Sequence, residues 1–259
     1  MTPDGERPSP AAPDHDPLKL WFWYLAMGPL EVAGRAAGVY RPPRGPMPDY
    51  PVTNQASAGG AATGPVVAFG DSLTQGYGLK HPARDAWPAV LGRRLGIDIV
   101  NRGRSGDTSA DGLARLDADV LSLAPSAVVV GFGGNDMIRK RPVPDCFADL
   151  DMMVARIHAT GAAVALLGIR GSWLFGLDFD TGFRELAMRR GCPLAPLILD
   201  GIWGAPWLML DVAHPNARGH RMVAGRVEPA LRRCLPEAGP TARAADLATG
   251  GNARPAAGV

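Results

Sequence analysis

Ser72, Asp211 and His214 are the side chains of this sequence whose types and spacing could carry nucleophilic chemistry. Acyl transfer to water needs a nucleophile, a base to take its proton, a group that orients the base, and donors for the developing oxyanion. Ser72 stands in "FGDSLTQGYG", directly after the apolar run of residues 65–69. Gly70 permits a sharp exit from a buried strand, and a helix beginning near the serine would expose backbone N–H groups. The histidine lies in "DVAHPNARGH", where Asp211 stands three residues before His214 and Pro215 follows. Proline turns the residue before it away from the helical region and favours a helix start, which predicts a helix from Pro215 or just after. His214 then sits on a loop with a carboxylate close enough to hold its other ring nitrogen, the Ser-His-Asp logic. Two further donors are available. Gly106 in "GRSGDTS" can bring its N–H close to a ligand, and Asn135 in "FGGND" offers a side-chain amide. With the Ser72 N–H they would form an oxyanion hole.

Each residue also has a plainer reading. Asp71 and Ser72 alone would cap a helix, His214 alone would be a surface histidine, and Asn135-Asp136 alone would make a turn. Their joint presence favours a site. "GFGGND" lacks the third glycine of a dinucleotide loop, and no G-x-S-x-G elbow surrounds Ser72. Asp107 is expected to organise its loop, His220 to lie on a helix surface, and Arg139-Lys140-Arg141 to form a solvated loop.

The elements that must position these residues follow from hydropathy. Strands are expected over 65–69, 97–101, 127–132, 162–168 and, weakly, 193–198, four of them continuous apolar runs of the kind buried on both faces. Leu113, Leu116, Val120 and Leu121, and later Met222, Val223, Val227 and Leu231, recur at helical spacing. Strands alternating with helices predict a three-layer α/β/α sandwich on a parallel sheet. Such sheets bind ligands at the carboxyl ends of their strands, where the polar stretches above fall.

"GDSL" at 70–73, the glycine of "SGDTS" at 105–109, the asparagine of "GGND" at 133–136 and "DVAHPN" at 211–216 resemble, in order and separation, the four blocks of the GDSL or SGNH hydrolase family. The match is nearest to the branch of arylesterases, thioesterase I and lysophospholipase L1. The resemblance implies a flavodoxin-like, five-stranded α/β fold. It also implies Ser72 as nucleophile, His214 as base, Asp211 as its orienter, and Ser72, Gly106 and Asn135 as oxyanion hole, with no cofactor and no metal. The implied function is a serine esterase acting on acyl esters, thioesters or lysophospholipids. An O-acetyl esterase acting on a glycan, or a silent membrane-tethered binding module on the same fold, are the alternatives.

Composition narrows the partners. The 259 residues are 46% hydrophobic, with a formal net charge of +2 and no dense basic stripe, which argues against nucleic acid as a partner. Three scattered cysteines and five histidines show neither a disulfide framework nor metal-ligand spacing. Gly and Pro crowd the two ends, so the expected organisation is an apolar segment and linker over 1–63, a hydrolase domain over 64–235 and a disordered tail over 236–259. Residues 18–30, with four successive aromatics at 21–24, suit an interfacial membrane anchor, a segment docked on its own domain, or an atypical signal. The location is accordingly periplasmic or membrane-associated, with cytoplasmic as the alternative, and a monomer is expected. Trp173, Leu174 and Phe175, in a Gly-flanked apolar loop, are candidates for lining an acyl pocket. Trp203, Trp207 and Leu208 divide between core and pocket.

Overall fold

The valine-rich runs pair as one parallel sheet. The computed structural model describes residues 64–170 and 179–236. Strands β1 (Val66–Gly70), β2 (Ile99–Gly103), β3 (Ala127–Gly131), β4 (Ala163–Leu167) and β5 (Leu194–Ala195) lie in the order β2-β1-β3-β4-β5, all parallel. This is the flavodoxin-like order, which reverses direction at β1 and opens a crevice beyond its carboxyl end. Residues 18–30, Trp173, Leu174 and Phe175 lie outside the described residues. No helix among the described residues is long and apolar enough to cross a membrane.

Successive side chains of a strand point to opposite faces, and the core divides accordingly. Val66 and Ala68 face one layer, built from helices α3 (Trp87–Leu95) and α8 (Ala217–Arg232) through Trp87, Leu91, Val223, Val227 and Leu231. Val67 and Phe69 face the other, built from α4 (Ser109–Asp119), α6 (Val143–His158) and α7 (Phe179–Arg190) through Leu116, Leu150, Met153 and Phe183. Each fully buried aliphatic side chain contributes roughly 1.5–3 kcal/mol, so the central strands are the most strongly specified part of the chain. The three cysteines are buried free thiols in these layers.

β2 departs from expectation: it begins at Ile99 and continues through Asn101 and Arg102. As the sheet's edge it is only half-buried, so polar residues extend the ladder where an apolar run stops. Helix α8 begins at Ala217, just after Pro215 as expected, with Asn216 at its cap. Met222, expected on the buried face of α8, is exposed.

β1, β2 and β3 end level, with Gly70 paired to both Gly103 and Gly131. The one-turn helix α1 (Ser72–Gln75), which the similarly short α2 (Pro82–Asp85) follows, rests directly on this edge. A Cβ at Gly103 would lie 2.1 Å from the Gln75 backbone nitrogen, so only glycine admits α1 this close to the sheet.

Candidate active site

Asp71, not Ser72, caps α1. Its Oδ1 accepts the Leu73 N–H at 3.0 Å, which leaves the Ser72 hydroxyl uncommitted to the backbone. Burial pushes the Asp71 carboxyl up to about 6, against the opposing pull of the Leu73 N–H.

The histidine is presented by a tight loop. The Leu210 N–H donates to the His214 carbonyl at 2.7 Å and the Asn216 N–H to the Leu208 carbonyl at 2.8 Å, with a bridge between Met209 and Pro215. Asp211, Val212 and Ala213 form its tip. Asp211 Oδ1 accepts the Ala213 and His214 N–H groups at 2.8 and 2.7 Å, which fixes the carboxylate against its own loop. Asn216 anchors the base. Its Oδ1 accepts from Arg218 and Gly219, and its Nδ2 donates to the Trp207 carbonyl at 2.9 Å.

These two pieces meet. His214 Nε2 lies 3.0 Å from Ser72 Oγ, across 142 residues of sequence, and His214 Nδ1 lies 2.9 and 2.8 Å from the two Asp211 carboxylate oxygens. Burial works to raise the Asp211 carboxyl, but the bonds from the His214 ring and the Ala213 and His214 N–H groups outweigh it and hold it below the ordinary carboxylate range. An ionised carboxylate on Nδ1 keeps the proton there and leaves Nε2 as an acceptor facing the hydroxyl, the arrangement in which a serine can be deprotonated as it attacks.

Asn135 lies in the one-turn helix α5 (Gly134–Ile138) beyond β3 and shares the wall of one cavity with Ser72 and His214. Its Nδ2 donates one N–H to the Asp107 carbonyl at 2.9 Å and retains a second. Gly106 stands outside that cavity's lining, one residue before Asp107, in the left-handed region with φ +85°. Among the described residues its N–H has no acceptor. Asp107 organises the loop through a 2.5 Å ion pair with Arg115, which also donates to the Gly70 carbonyl at 3.0 Å.

Four residues depart from their expected roles or were missed. His220 is buried rather than on the helix surface: its Nδ1 accepts the Trp87 N–H at 3.2 Å, tying α8 to the start of α3. Arg141 is no solvated loop residue. It pairs with the fully buried Asp136 and with Asp149 at 3.0 Å, and Asp136 also takes the Ser109 N–H and hydroxyl, which secures α5 and with it Asn135. Arg139 reaches the Gly106 carbonyl. Tyr77 packs its ring on His214; its place five residues after Ser72 gave no sign of a partner so far along the chain. Of the late tryptophans, Trp203 is half-buried and donates to the Val212 carbonyl at 2.7 Å, whereas Trp207 is exposed and Leu208 buried.

The cavity shared by Ser72, Asn135 and His214, about 150 Å³, is also walled by Ile138, Ile169, Ile198, Leu199 and Ala213. A second of similar size shares Gly134, Ile138, Ile169, Leu199 and Ala213 with it and continues past Met137, Leu197 and Trp203 to the Arg170–Asp200 ion pair. The two adjoin along these shared residues, and both are largely apolar. Among the described residues, no three His, Cys, Asp or Glu side chains converge as metal ligands.

A parallel α/β sandwich with a serine just after its first strand and a histidine and aspartate on one late loop is the architecture of a serine ester hydrolase. The chain belongs to the GDSL-like lipase/acylhydrolase family, whose model matches residues 68–222. Esterase TesA of Pseudomonas aeruginosa is 34% identical to it over 185 residues, covering 68% of this chain and 91% of that protein. The thioesterase 1/protease 1/lysophospholipase L1 of Escherichia coli strain K12 is 32% identical over 171 residues, covering 63% and 81%. The crystal structure of TesA superposes with a TM-score of 0.61 at 33% identity, over 66% of this chain and 99% of that one.

Proposed function

We propose that Ser72 is the nucleophile of an esterase and thioesterase acting on apolar acyl chains, with His214 as its base and Asp211 as the base's orienter. The observation that carries this reading is the 3.0 Å approach of His214 Nε2 to Ser72 Oγ, with Asp211 on the far side of the ring. Ser72 Oγ attacks the acyl carbonyl and its proton passes to Nε2. The carbonyl oxygen becomes an oxyanion, stabilised by the Ser72 and Gly106 N–H groups and the Asn135 amide. The tetrahedral species collapses to an acyl-enzyme, and the departing alcohol or thiol takes the proton from His214. Water then attacks, His214 removes its proton, and the acid leaves with Ser72 reprotonated.

The adjoining apolar cavities, from Ile138 and Ile169 to Leu199 and Trp203, support an acyl chain of several carbons, and the names of the similar proteins, esterase and thioesterase, agree with oxygen and sulfur leaving groups. Each buried methylene is worth about 0.8 kcal/mol, so kcat/KM should rise from acetyl to medium-chain p-nitrophenyl esters and acyl thioesters. Activity confined to acetyl esters would contradict that assignment. Loss of turnover in Ser72→Ala and His214→Ala is the accompanying expectation. Association with a membrane surface through residues 18–30 rests on sequence alone; equal solubility of the full chain and of one beginning near residue 45 would rule it out.

A further inference from the structure

We propose that Gln75 and Arg139 are positioning residues of the oxyanion hole, clamping the Ser105-Gly106-Asp107 backbone and so fixing the Gly106 N–H. The inference rests on the reading of Gly106 as an oxyanion donor.

Three consecutive residues of this segment are each held by a different side chain. Gln75 Oε1 accepts the Ser105 N–H at 2.9 Å and is also contacted by the Ser105 hydroxyl. Arg139 donates to the Gly106 carbonyl at 2.7 Å. Asn135 donates to the Asp107 carbonyl at 2.9 Å. The segment's own backbone supplies little else: Arg104 N–H to the Gly70 carbonyl at 2.9 Å, and a long Asp107 N–H to Arg104 carbonyl contact at 3.3 Å. Gly106 has no side chain to restrict it and occupies the left-handed region, so without external bonds its peptides are the freest in the loop.

The origin of the clamps gives them their meaning. Gln75 follows Ser72 by three residues in α1, and Arg139 follows Asn135 by four at the end of α5. The loop is therefore referenced both to the nucleophile's helix and to the amide donor's helix. A bond from a guanidinium to a carbonyl is charge-assisted and stronger than its neutral counterpart. Arg139 also approaches Asp111 at 3.6 Å, but both side chains are about half exposed, a setting in which an ion pair contributes little. The carbonyl bond, at 2.7 Å, is the closer of the two contacts Arg139 makes. Displacement of a catalytic group by about 1 Å can cost on the order of 10²-fold in rate, and that is the scale available to the clamp.

The test uses the full chain with Arg139→Ala, Arg139→Lys, Gln75→Ala and, as the reference arm, Ser72→Ala. For each, kcat and KM are measured on a short p-nitrophenyl ester well below that variant's unfolding midpoint. Inhibition by an alkylboronic acid, which forms a tetrahedral adduct on an active-site serine, is measured alongside. Arg139→Ala and Gln75→Ala should each lower kcat by about 10- to 100-fold with KM within about 3-fold. The boronic acid Ki should rise in proportion to the loss of kcat/KM, and Arg139→Lys, which keeps a cationic donor, should recover most of the loss. The proposal is overturned if both alanine variants keep kcat within about 2-fold of the parent. It is equally overturned if the loss lies in KM alone, or if kcat falls while the Ki is unmoved. Turnover and boronic acid binding that survive in Ser72→Ala would instead sink the assignment of the nucleophile, independently of the clamp.

Discussion

Tyr77 lies with its ring centroid 4.9 Å from that of His214, the planes inclined at 50°. Its backbone N–H is bound to the Ser72 carbonyl at 3.1 Å, so the residue that touches His214 is tied to the turn that carries Ser72. Ser72 and His214 are thereby held together by a packing contact as well as by their hydrogen bond.

That contact predicts a graded response. Tyr77→Phe keeps the ring and should keep kcat within about 2-fold, whereas Tyr77→Ala frees the imidazole to rotate and should lower kcat by roughly 10-fold or more, given the sensitivity of catalysis to geometry. Steady-state kinetics on one ester settle it, and equal effects of the two changes would show that the ring contact is immaterial.

Asp211→Asn should lower kcat on the order of 10³- to 10⁴-fold with a small change in KM, because an amide no longer specifies the His214 tautomer that leaves Nε2 as the acceptor. The loop's N–H bonds from Ala213 and His214 can persist to the asparagine carbonyl oxygen, so circular dichroism and the unfolding midpoint should change little by comparison.

His220 gives a pH prediction in stability rather than rate. Burial, with the His214 charge adding to it, pushes the imidazole down to about 4. An unfolded histidine titrates near about 6.5. The folded value is depressed, so the stabilisation is complete above the unfolded value and is lost as pH falls toward the folded one. The stability difference between the parent and His220→Gln, which keeps an acceptor but cannot be protonated, should shrink by about 2 kcal/mol between pH 7 and pH 5. Urea unfolding at the two pH values measures it. Comparison with the variant is needed because Asp71, raised to about 6, acts oppositely in this window: its stabilisation grows as pH falls through 6. A pH-independent difference would show that His220 is not the group responsible.

Asn216→Ala removes the acceptor for two N–H groups of α8 and the donor to the Trp207 carbonyl, and should cost about 1–2 kcal/mol of stability. Asn216→Asp retains the cap and should recover most of that loss in chemical denaturation. If aspartate proved as damaging as alanine, the tie to Trp207 rather than the helix cap would be the dominant interaction.

What the sequence disclosed, and what it hid, divides by distance along the chain. The placement of Ser72, Asp211 and His214 was legible because each pattern is local: a strand-turn-helix junction, and an aspartate three residues before a histidine followed by proline. The central strands were legible because burial on both faces leaves few polar residues in them. β2 was displaced because an edge strand tolerates Asn101 and Arg102. Arg141 and His220 were misread because polar side chains in a helical or basic context default to solvent, while their partners, Asp136, Asp149 and Trp87, come from other elements. Tyr77 carried no signal, and Arg139 was legible only as an exposed basic residue, since neither the His214 ring nor the Gly106 carbonyl can be inferred as a partner until the strand ends are brought together.

The central claim is that one hydroxyl, that of Ser72, is activated by His214. Reaction of the purified full chain with a fluorophosphonate, followed by intact mass and peptide mapping, tests it most directly. The expected result is a single adduct per chain, on Ser72, formed in step with loss of esterase activity and greatly slowed in His214→Ala. An adduct on another residue, or an active enzyme whose Ser72 stays unmodified while activity is lost, would contradict it.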